Sequence, residues 1–141
     1  MLYLQIEDIK TTVEESRVAT LTDNDYSTLE QIEKGVLDTI QSYIGGVYNL
    51  DVEFTKTLFA RNYNLLRIVK HLFAYDFYSV YSVEMISDLV KYNYELALAT
   101  LTKLQNGDIP DLFGVAKRSE LDTQANSFQI WKSNPKINSI Y

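Results

Sequence analysis

The chain has 141 residues, 46% of them apolar, which is enough for one domain with its own core and well above the apolar content of disordered chains. Its net charge of −6 argues against a general affinity for the phosphate backbone of nucleic acids. The absence of cysteine excludes disulfides, thiolate zinc sites and cysteine nucleophiles, and it fits a reducing compartment.

The N-terminal residues carry neither a basic stretch nor a long apolar run, so they do not resemble a secretory signal peptide. No apolar run in the sequence reaches the roughly 18 residues that a membrane-spanning helix needs. We therefore expect a soluble protein that is cytoplasmic when made and has no membrane partner.

The charge is distributed unevenly along the chain. Residues 1–60 hold four basic and eleven acidic side chains, a net charge of −7, whereas the segment from residue 117 onward has a net charge of +2. An acidic first half and a mildly basic end would suit head-to-tail docking between copies. An ordinary solvated surface explains the same pattern at least as well.

The first half is predicted to contain two short helical segments and then one long helix. Ser27 and Glu30 match a capping box. In this motif the serine side chain accepts a hydrogen bond from the backbone amide of the third helical residue, and the glutamate side chain accepts one from the backbone amide of the serine. Gly45 and Gly46 should end the long helix, because glycine adopts the left-handed conformation without strain. The apolar positions at helical spacing are Leu4, Ile6, Ile9 and Val13, then Val18, Ala19 and Leu21, and then Leu29, Ile32, Val36, Ile40 and Tyr43.

The second half is predicted to contain two further helices. Residues 47–54 alternate loosely and predict an extended link, after which a helix runs from about Thr55 to Tyr81. Its apolar residues cover nearly the whole circumference, which places this helix at the centre of the domain. Ser82 is predicted to cap the last helix, and Gly107 to end it. The inward residues of that helix are predicted to be Ile86, Leu89, Val90, Ala97, Leu101 and Leu104.

Helical periodicity stops at Pro110. We therefore divide the chain into a helical domain, residues 1–109, and an irregular C-terminal segment, residues 110–141. This segment contains an apolar cluster, Phe128, Ile130 and Trp131, which an inert linker would lack. It either docks onto a partner or wraps its own domain, and the sequence leaves both open. The predicted fold class is all-α, a compact bundle of four to five helices with an irregular C-terminal tail.

No pattern of residues indicates reaction chemistry. His71 is the only histidine, which excludes paired-histidine metal sites, and its basic neighbours favour a structural or surface role. Asp23 begins a run similar to an EF-hand loop, but Thr28 stands where that loop needs glycine and Lys34 where it needs glutamate. We therefore expect no catalytic residue, no cofactor, no metal and no enzymatic activity.

The chain contains eleven tyrosines, several of them in the last two predicted helices. Tyrosine has a large apolar body and a polar tip, so it suits the edges of cores and interfaces. Most should pack at core edges within one subunit, and others in contacts between subunits. Too few basic residues are interleaved with them for a nucleic-acid stacking platform, so we expect no specific nucleic-acid binding.

Three stretches of the chain form an ordered set of short motifs. The first combines Tyr3-Leu-x-x-x-Asp-Ile9, Leu21-Thr-Asp23 and Ile40-x-x-Tyr-Ile-x-Gly-x-Tyr48. The second is Arg67-Ile-Val-x-x-Leu-x-x-Tyr-Asp-x-Tyr78, and the third is Tyr92-x-x-Glu-Leu-Ala-Leu-x-x-Leu-x-x-Leu-x-x-Gly-Asp-Ile109. In this order and spacing they resemble a family of small proteins from Mu-like phages and prophages, a domain of unknown function. The resemblance covers about residues 1–115.

That family resembles, in gene context and helical fold, the head–tail connector or adaptor proteins of long-tailed phages. The resemblance implies a ring of copies beneath the portal that extends the DNA channel, even if the free chain is monomeric. It implies portal and tail or neck proteins as partners, the virion neck as the final location, and a C-terminal segment that inserts into the portal. On this basis Tyr48, Phe128, Ile130 and Trp131 are candidate protein-interaction residues. The alternatives are a phage tail-completion protein and a host-encoded helical interaction module.

Overall fold

The computed structural model describes residues 2–23 and 26–118. Across these residues the chain forms six α-helices and, apart from one isolated antiparallel bridge between Tyr48 and Lys117, no β-structure. The helices are α1 (Ile6–Ile9), α2 (Glu15–Thr22), α3 (Ser27–Ile44), α4 (Leu50–Glu53), α5 (Tyr63–Tyr81) and α6 (Asp88–Asn106), with 3-10 turns at Leu58–Ala60 and Val83–Met85. The predicted all-α class is confirmed. Helices α1 and α4 are single turns, and the other four helices are longer.

Helix α5 lies at the centre of the bundle, where it contacts α1, α3 and α6. Its buried residues lie on several faces, as expected for a central helix, and they are Leu65, Leu66, Ile68, Val69, Leu72, Phe73, Ala74, Phe77 and Tyr78. The predicted end at Tyr81 is confirmed, but the predicted start at Thr55 is wrong. Helix α5 begins at Tyr63, because Asn62 caps it by accepting a hydrogen bond from the Leu65 amide at 2.9 Å.

Helix α3 packs its apolar face against α5 and α6. Ser27 is the first residue of the helix, and Tyr26 occupies the cap position before it. The prediction that Ser27 is the cap is therefore wrong by one residue. The helix ends at Ile44, which confirms that glycine follows the helix. The predicted left-handed conformation is wrong, because Gly45 has a φ of −64°. Glycine is needed here for space, since a Cβ at Gly45 would overlap the carbonyl oxygen of Gln41.

Helix α6 packs along α5 and is capped by a different serine from the predicted one. Ser87 accepts a hydrogen bond from the Val90 amide at 3.2 Å, whereas Ser82 is the residue that follows the last turn of α5. The predicted end is confirmed, since Gly107 has a φ of +75°, the left-handed conformation that glycine adopts most easily. The buried residues of α6 are Ala97, Leu101 and Leu104, all three as predicted.

The link between α3 and α5 is not extended as predicted. Leu50, Glu53 and Phe54 are all buried, and they lie on one face of the helical turn that contains α4. Residues spaced by three and four share a face of a helix, whereas in a strand Leu50 and Glu53 would point in opposite directions. Burial of this set of side chains therefore favours the helical turn.

The N-terminal segment is fixed against α3 by the carboxylate of Glu33. Its oxygens accept hydrogen bonds from three successive backbone amides, those of Leu2 at 2.6 Å, Tyr3 at 3.0 Å and Leu4 at 2.5 Å. Glu33 is only 2% exposed, so these bonds to its charged form compensate its loss of hydration. They hold the chain in place just before α1.

A buried polar cluster joins the same segment to the link before α5. Arg61 donates to the backbone oxygen of Tyr3 at 2.9 Å and to the Asp8 carboxylate at 2.6 Å. Glu53 accepts hydrogen bonds from the Tyr3 hydroxyl at 3.1 Å and from the Asn62 amide at 2.9 Å. Burial, together with the neighbouring Glu53 carboxylate, raises the pKa of Tyr3 far above its usual value. These bonds fix the turn from which α5 starts.

The chain beyond α6 folds back onto the helices as far as the structure describes it. Leu112 and Val115 are buried in the common core. The Asn49 amide donates to the oxygen of Ala116 at 2.7 Å, and the Arg118 amide donates to the oxygen of Val47 at 3.0 Å. Residues 110–118 therefore pack on their own domain, whereas residues 119–141 lie outside the described part of the chain.

Candidate interaction surface

The described residues offer no metal-binding cluster and no membrane-spanning helix. Within residues 2–23 and 26–118, no group of three or more histidine, aspartate or glutamate side chains is placed to hold a metal ion. Burial, followed by the charges of Lys70 and Arg67, lowers the pKa of His71. In that same part of the chain no helix is both long and apolar enough to cross a membrane. The most unusual features are instead exposed apolar residues.

The structure places the first predicted interaction residue, Tyr48, in the interior. Its side chain is fully buried, and its hydroxyl lies between two groups of the returning segment. It donates to the Asp111 carboxylate at 3.2 Å and accepts from the Leu112 amide at 3.0 Å. Tyr48 therefore uses its contacts within the chain and presents no surface to a partner. The other three predicted residues, Phe128, Ile130 and Trp131, lie outside the described residues.

A cluster of exposed apolar side chains lies where α5 starts. Phe59 is 89% exposed and Phe113 is 92% exposed, and with Leu58 and Tyr63, which are each more than half exposed, they form what we call the aromatic patch. Phe59, Tyr63 and Phe113 border a cavity of ≈ 430 Å³. Among the residues that the structure describes, no carboxylate lines this cavity, so an apolar partner surface could approach it without burying one of these acidic side chains.

The turn that carries Phe59 is held in an uncommon backbone conformation. Leu58 has a φ of +50°, in the left-handed region that a residue with a branched side chain rarely adopts. Its carbonyl oxygen accepts a hydrogen bond from Nε of Arg61 at 3.0 Å, and Arg61 is anchored by Asp8. Strain of this kind persists only where surrounding contacts enforce it, and it concentrates at functional sites.

The turn that carries Phe113 is fixed as well. Gly114 has a φ of +76°, which glycine tolerates. The side-chain amide of Asn62 donates to the carbonyl oxygen of Phe113 at 2.6 Å, and Lys56 donates to that of Gly114 at 3.1 Å. The neighbouring residue Leu112 is buried, so the exposed ring extends from an anchored backbone.

Neither exposed phenylalanine of the aromatic patch is predicted by the sequence pattern. Phe59 falls inside the range predicted as the central helix, and Phe113 was one of several apolar residues of the irregular segment. One signal was available for the second residue, because the glycine directly after it, Gly114, is a typical turn residue. No comparable signal marks Phe59, because its exposure depends on the left-handed conformation of Leu58.

A second exposed apolar surface lies on α6, which we call the α6 stripe. It consists of Leu89, Tyr92 and Leu96, at successive spacings of three and four residues. This is the spacing of a coiled-coil seam. Leu89 is 66% exposed, so the prediction that it points inward is wrong. The inner face of α6 is already filled by residues such as Ala97 and Leu101.

Comparison with known proteins adds no relative. No family model, no curated protein and no solved structure matches this chain. The similarity of residues 1–115 to the Mu-like phage family therefore stays a prediction from the sequence. The surfaces of the described domain are the physical evidence on which a function can be argued.

Proposed function

We propose that this chain is a structural, non-enzymatic subunit of a phage or prophage virion, a head–tail connector that forms a ring beneath the portal. The observation that carries the proposal is the aromatic patch, in which Phe59 and Phe113 are almost fully exposed on anchored turns. A lone domain gains nothing from exposing two such rings. A subunit that buries them against a neighbour gains about 1.5–3 kcal/mol for each.

The anchoring of the aromatic patch supports a role in binding. Arg61 and Asn62 hold the two turns that present it, so little conformational entropy is lost when a partner covers Phe59 and Phe113. Phenylalanine and tyrosine are among the residues enriched in protein interfaces, where a few aromatic side chains supply most of the binding energy. The aromatic patch has this composition.

The positions of the two apolar surfaces support a ring. The aromatic patch lies at the start of α5, whereas the α6 stripe follows a different helix. Contacts between two different surfaces of identical chains are heterologous, and such contacts produce a closed ring when the rotation between neighbours closes. The net charge of −6 suits a wall around DNA, because an acidic surface does not retain phosphate groups.

The alternatives from the sequence use the same surfaces with different partners. A tail-completion protein would bind the end of a tail rather than the portal, and a host-encoded interaction module would bind neither. The test is to mix the purified chain with portal-bearing heads, which are assembled from the proteins encoded next to the gene for this chain. The mixture is then analysed by sedimentation and by cryo-electron microscopy. We expect the chain to sediment with the heads and to add a ring of density on the portal axis. A chain that stays in the supernatant, or that binds isolated tails instead, would contradict the connector assignment.

A further inference from the structure

A long surface groove follows α3 on the side that faces α4, and we call it the α3 groove. It has a volume of ≈ 660 Å³. Leu37 and Phe54 form its apolar floor, and Leu2, which is mostly exposed, stands at one side. Leu37 and Phe54 are each only 6% exposed, so the apolar surface that an occupant can still cover lies mainly at Leu2, which is 61% exposed.

The edges of the α3 groove are acidic. From the described part of the chain, four carboxylates and one ammonium group line it. Glu33 already accepts the three N-terminal amides, and Lys34 pairs with Asp38 at 3.1 Å. Asp51 forms no ion pair with any residue that the structure describes. An occupant that combines apolar side chains with lysine or arginine would therefore complement both the floor and the edges.

The described chain ends beside this groove. The side chain of Arg118 donates to the carbonyl oxygen of Gly45 at 2.5 Å, and its amide donates to that of Val47 at 3.0 Å. Gln41, which lines the groove, lies one helical turn before Gly45, a distance of about 6 Å along the helix axis. The last described residue, Arg118, therefore lies close to the end of the groove that is lined by Gln41.

The sequence beyond residue 118 has the composition that this groove requires. Residues 124–141 contain Lys132 and Lys136 and no acidic side chain, and they include the apolar cluster of Phe128, Ile130 and Trp131. The ten residues from Arg118 to Phe128 span up to about 35 Å when extended. The stretch of α3 from Glu30 to Gln41, which lines the groove, is only about 17 Å long.

We infer that residues 124–141 bind in the α3 groove of the same chain. The apolar cluster packs over Leu2 at the side of the groove floor, and the two lysines lie near Asp38 and Asp51. An apolar cluster left in water would be an aggregation hazard. The α3 groove offers a nearby binding site, because Gly45, which contacts Arg118, lies one helical turn after Gln41 of the groove. The inference concerns contacts within one free chain, so its test uses neither heads nor a portal and can fail without changing the result of the head-binding experiment.

Trp131 is the only tryptophan, so its fluorescence reports this contact in the full chain. We expect a blue-shifted emission and slow quenching by acrylamide in the unmodified protein. The variant Asp51→Lys should weaken docking, by up to about fivefold for one exposed ion pair, and shift both signals towards those of free tryptophan. The control is Glu95→Lys, which makes the same charge change at an exposed position of α6 and should leave both signals unchanged.

A charge exchange separates docking from a general loss of structure. Lys132→Glu with Lys136→Glu should release Trp131, and adding Asp38→Lys with Asp51→Lys should restore its protection. Three results would overturn the inference: a Trp131 that is as accessible as the free amino acid in the unmodified protein, equal effects of Asp51→Lys and Glu95→Lys, or failure of the exchange to restore protection. Protection that increases with protein concentration would instead assign the groove to the tail of a second copy.

Discussion

The side chain of Asn62 donates a hydrogen bond to the backbone oxygen of Phe113 at 2.6 Å, and this bond joins the two turns of the aromatic patch. The oxygen of the same side chain accepts the Leu65 amide at 2.9 Å and so caps α5. One asparagine therefore both starts the central helix and fixes the backbone of an exposed phenylalanine. The position of Phe113 relative to Phe59 therefore depends on the residue that caps the central helix of the bundle.

Substitutions of Asn62 should separate these two roles. Asn62→Ala removes both bonds and should lower the free energy of unfolding by about 1–2 kcal/mol, mostly through the lost cap. Asn62→Ser keeps a cap oxygen but is too short to reach Phe113, so the helix should stay stable while the Phe113 turn loosens. Urea unfolding measures the first effect and hydrogen exchange of residues 112–116 the second. Equal exchange in Asn62→Ser and the unmodified chain would show that the bond to Phe113 does not hold the turn.

Tyr48→Phe should loosen the returning segment. The change removes the hydroxyl that accepts the buried Leu112 amide at 3.0 Å, and an unsatisfied buried amide costs about 1–3 kcal/mol. Urea unfolding should show this loss, and the Leu112 amide should exchange faster. Tyr63→Phe is the matched control, because the Tyr63 side chain is exposed and its hydroxyl forms no hydrogen bond with the described residues. A loss of the same size in the control would contradict the assignment of the effect to the Tyr48 hydroxyl.

Phe73→Ala should be among the most destabilising substitutions. Phe73 is fully buried on α5 and lies beside Phe77, with ring centroids 6.3 Å apart. Removal of a buried phenylalanine ring costs about 3–5 kcal/mol. Val80→Ala, at an exposed position of the same helix, should change the free energy of unfolding by less than about 0.5 kcal/mol. A loss below about 1 kcal/mol for Phe73→Ala in urea melts would be incompatible with a closely packed core around α5.

Asp76→Asn should stabilise the protein at neutral pH. Burial raises the pKa of Asp76 above its ordinary value of 3.8, so the folded state binds this proton more tightly than the unfolded state. The free energy of unfolding therefore falls as the pH rises from 3.8 through the folded-state pKa, and the loss persists at higher pH. The variant should be more stable than the unmodified chain at pH 7 and nearly equal to it well below pH 3.8. Urea melts across this range test the prediction, with Asp108→Asn as an exposed control. A gain that is independent of pH would contradict it.

The sequence was sufficient for the fold class because long helices have periodic apolar faces. The central position of α5 follows from its periodic apolar residues, and the end of α6 at Gly107 follows from the conformational freedom of glycine. Periodicity does not decide whether Ser82 or Ser87 caps α6, because either serine can accept a hydrogen bond from a backbone amide. Tertiary packing decides it, since the chain between the two serines forms a 3-10 turn against α5.

The candidate site was less predictable than the fold. Exposure of Phe59 depends on the left-handed conformation of Leu58, which is imposed by contacts of Arg61 with residues that are distant in sequence. Burial of Tyr48 depends in the same way on residues 111–112, which return to it after the end of α6. Side-chain exposure at such positions is set by contacts across more than 50 residues, and periodicity carries no information about them.

The most direct test of the account is attachment to portal-bearing heads by a chain whose aromatic patch is disrupted. Phe59→Ser with Phe113→Ser should leave the urea melt nearly unchanged, because both side chains are exposed, while the fraction that co-sediments with heads falls by at least about tenfold. The control, Val80→Ser with Val83→Ser, removes two exposed apolar side chains elsewhere and should attach like the unmodified chain. Full attachment of the phenylalanine variant, or equal loss in the control, would contradict the claim that this protein assembles through its aromatic patch.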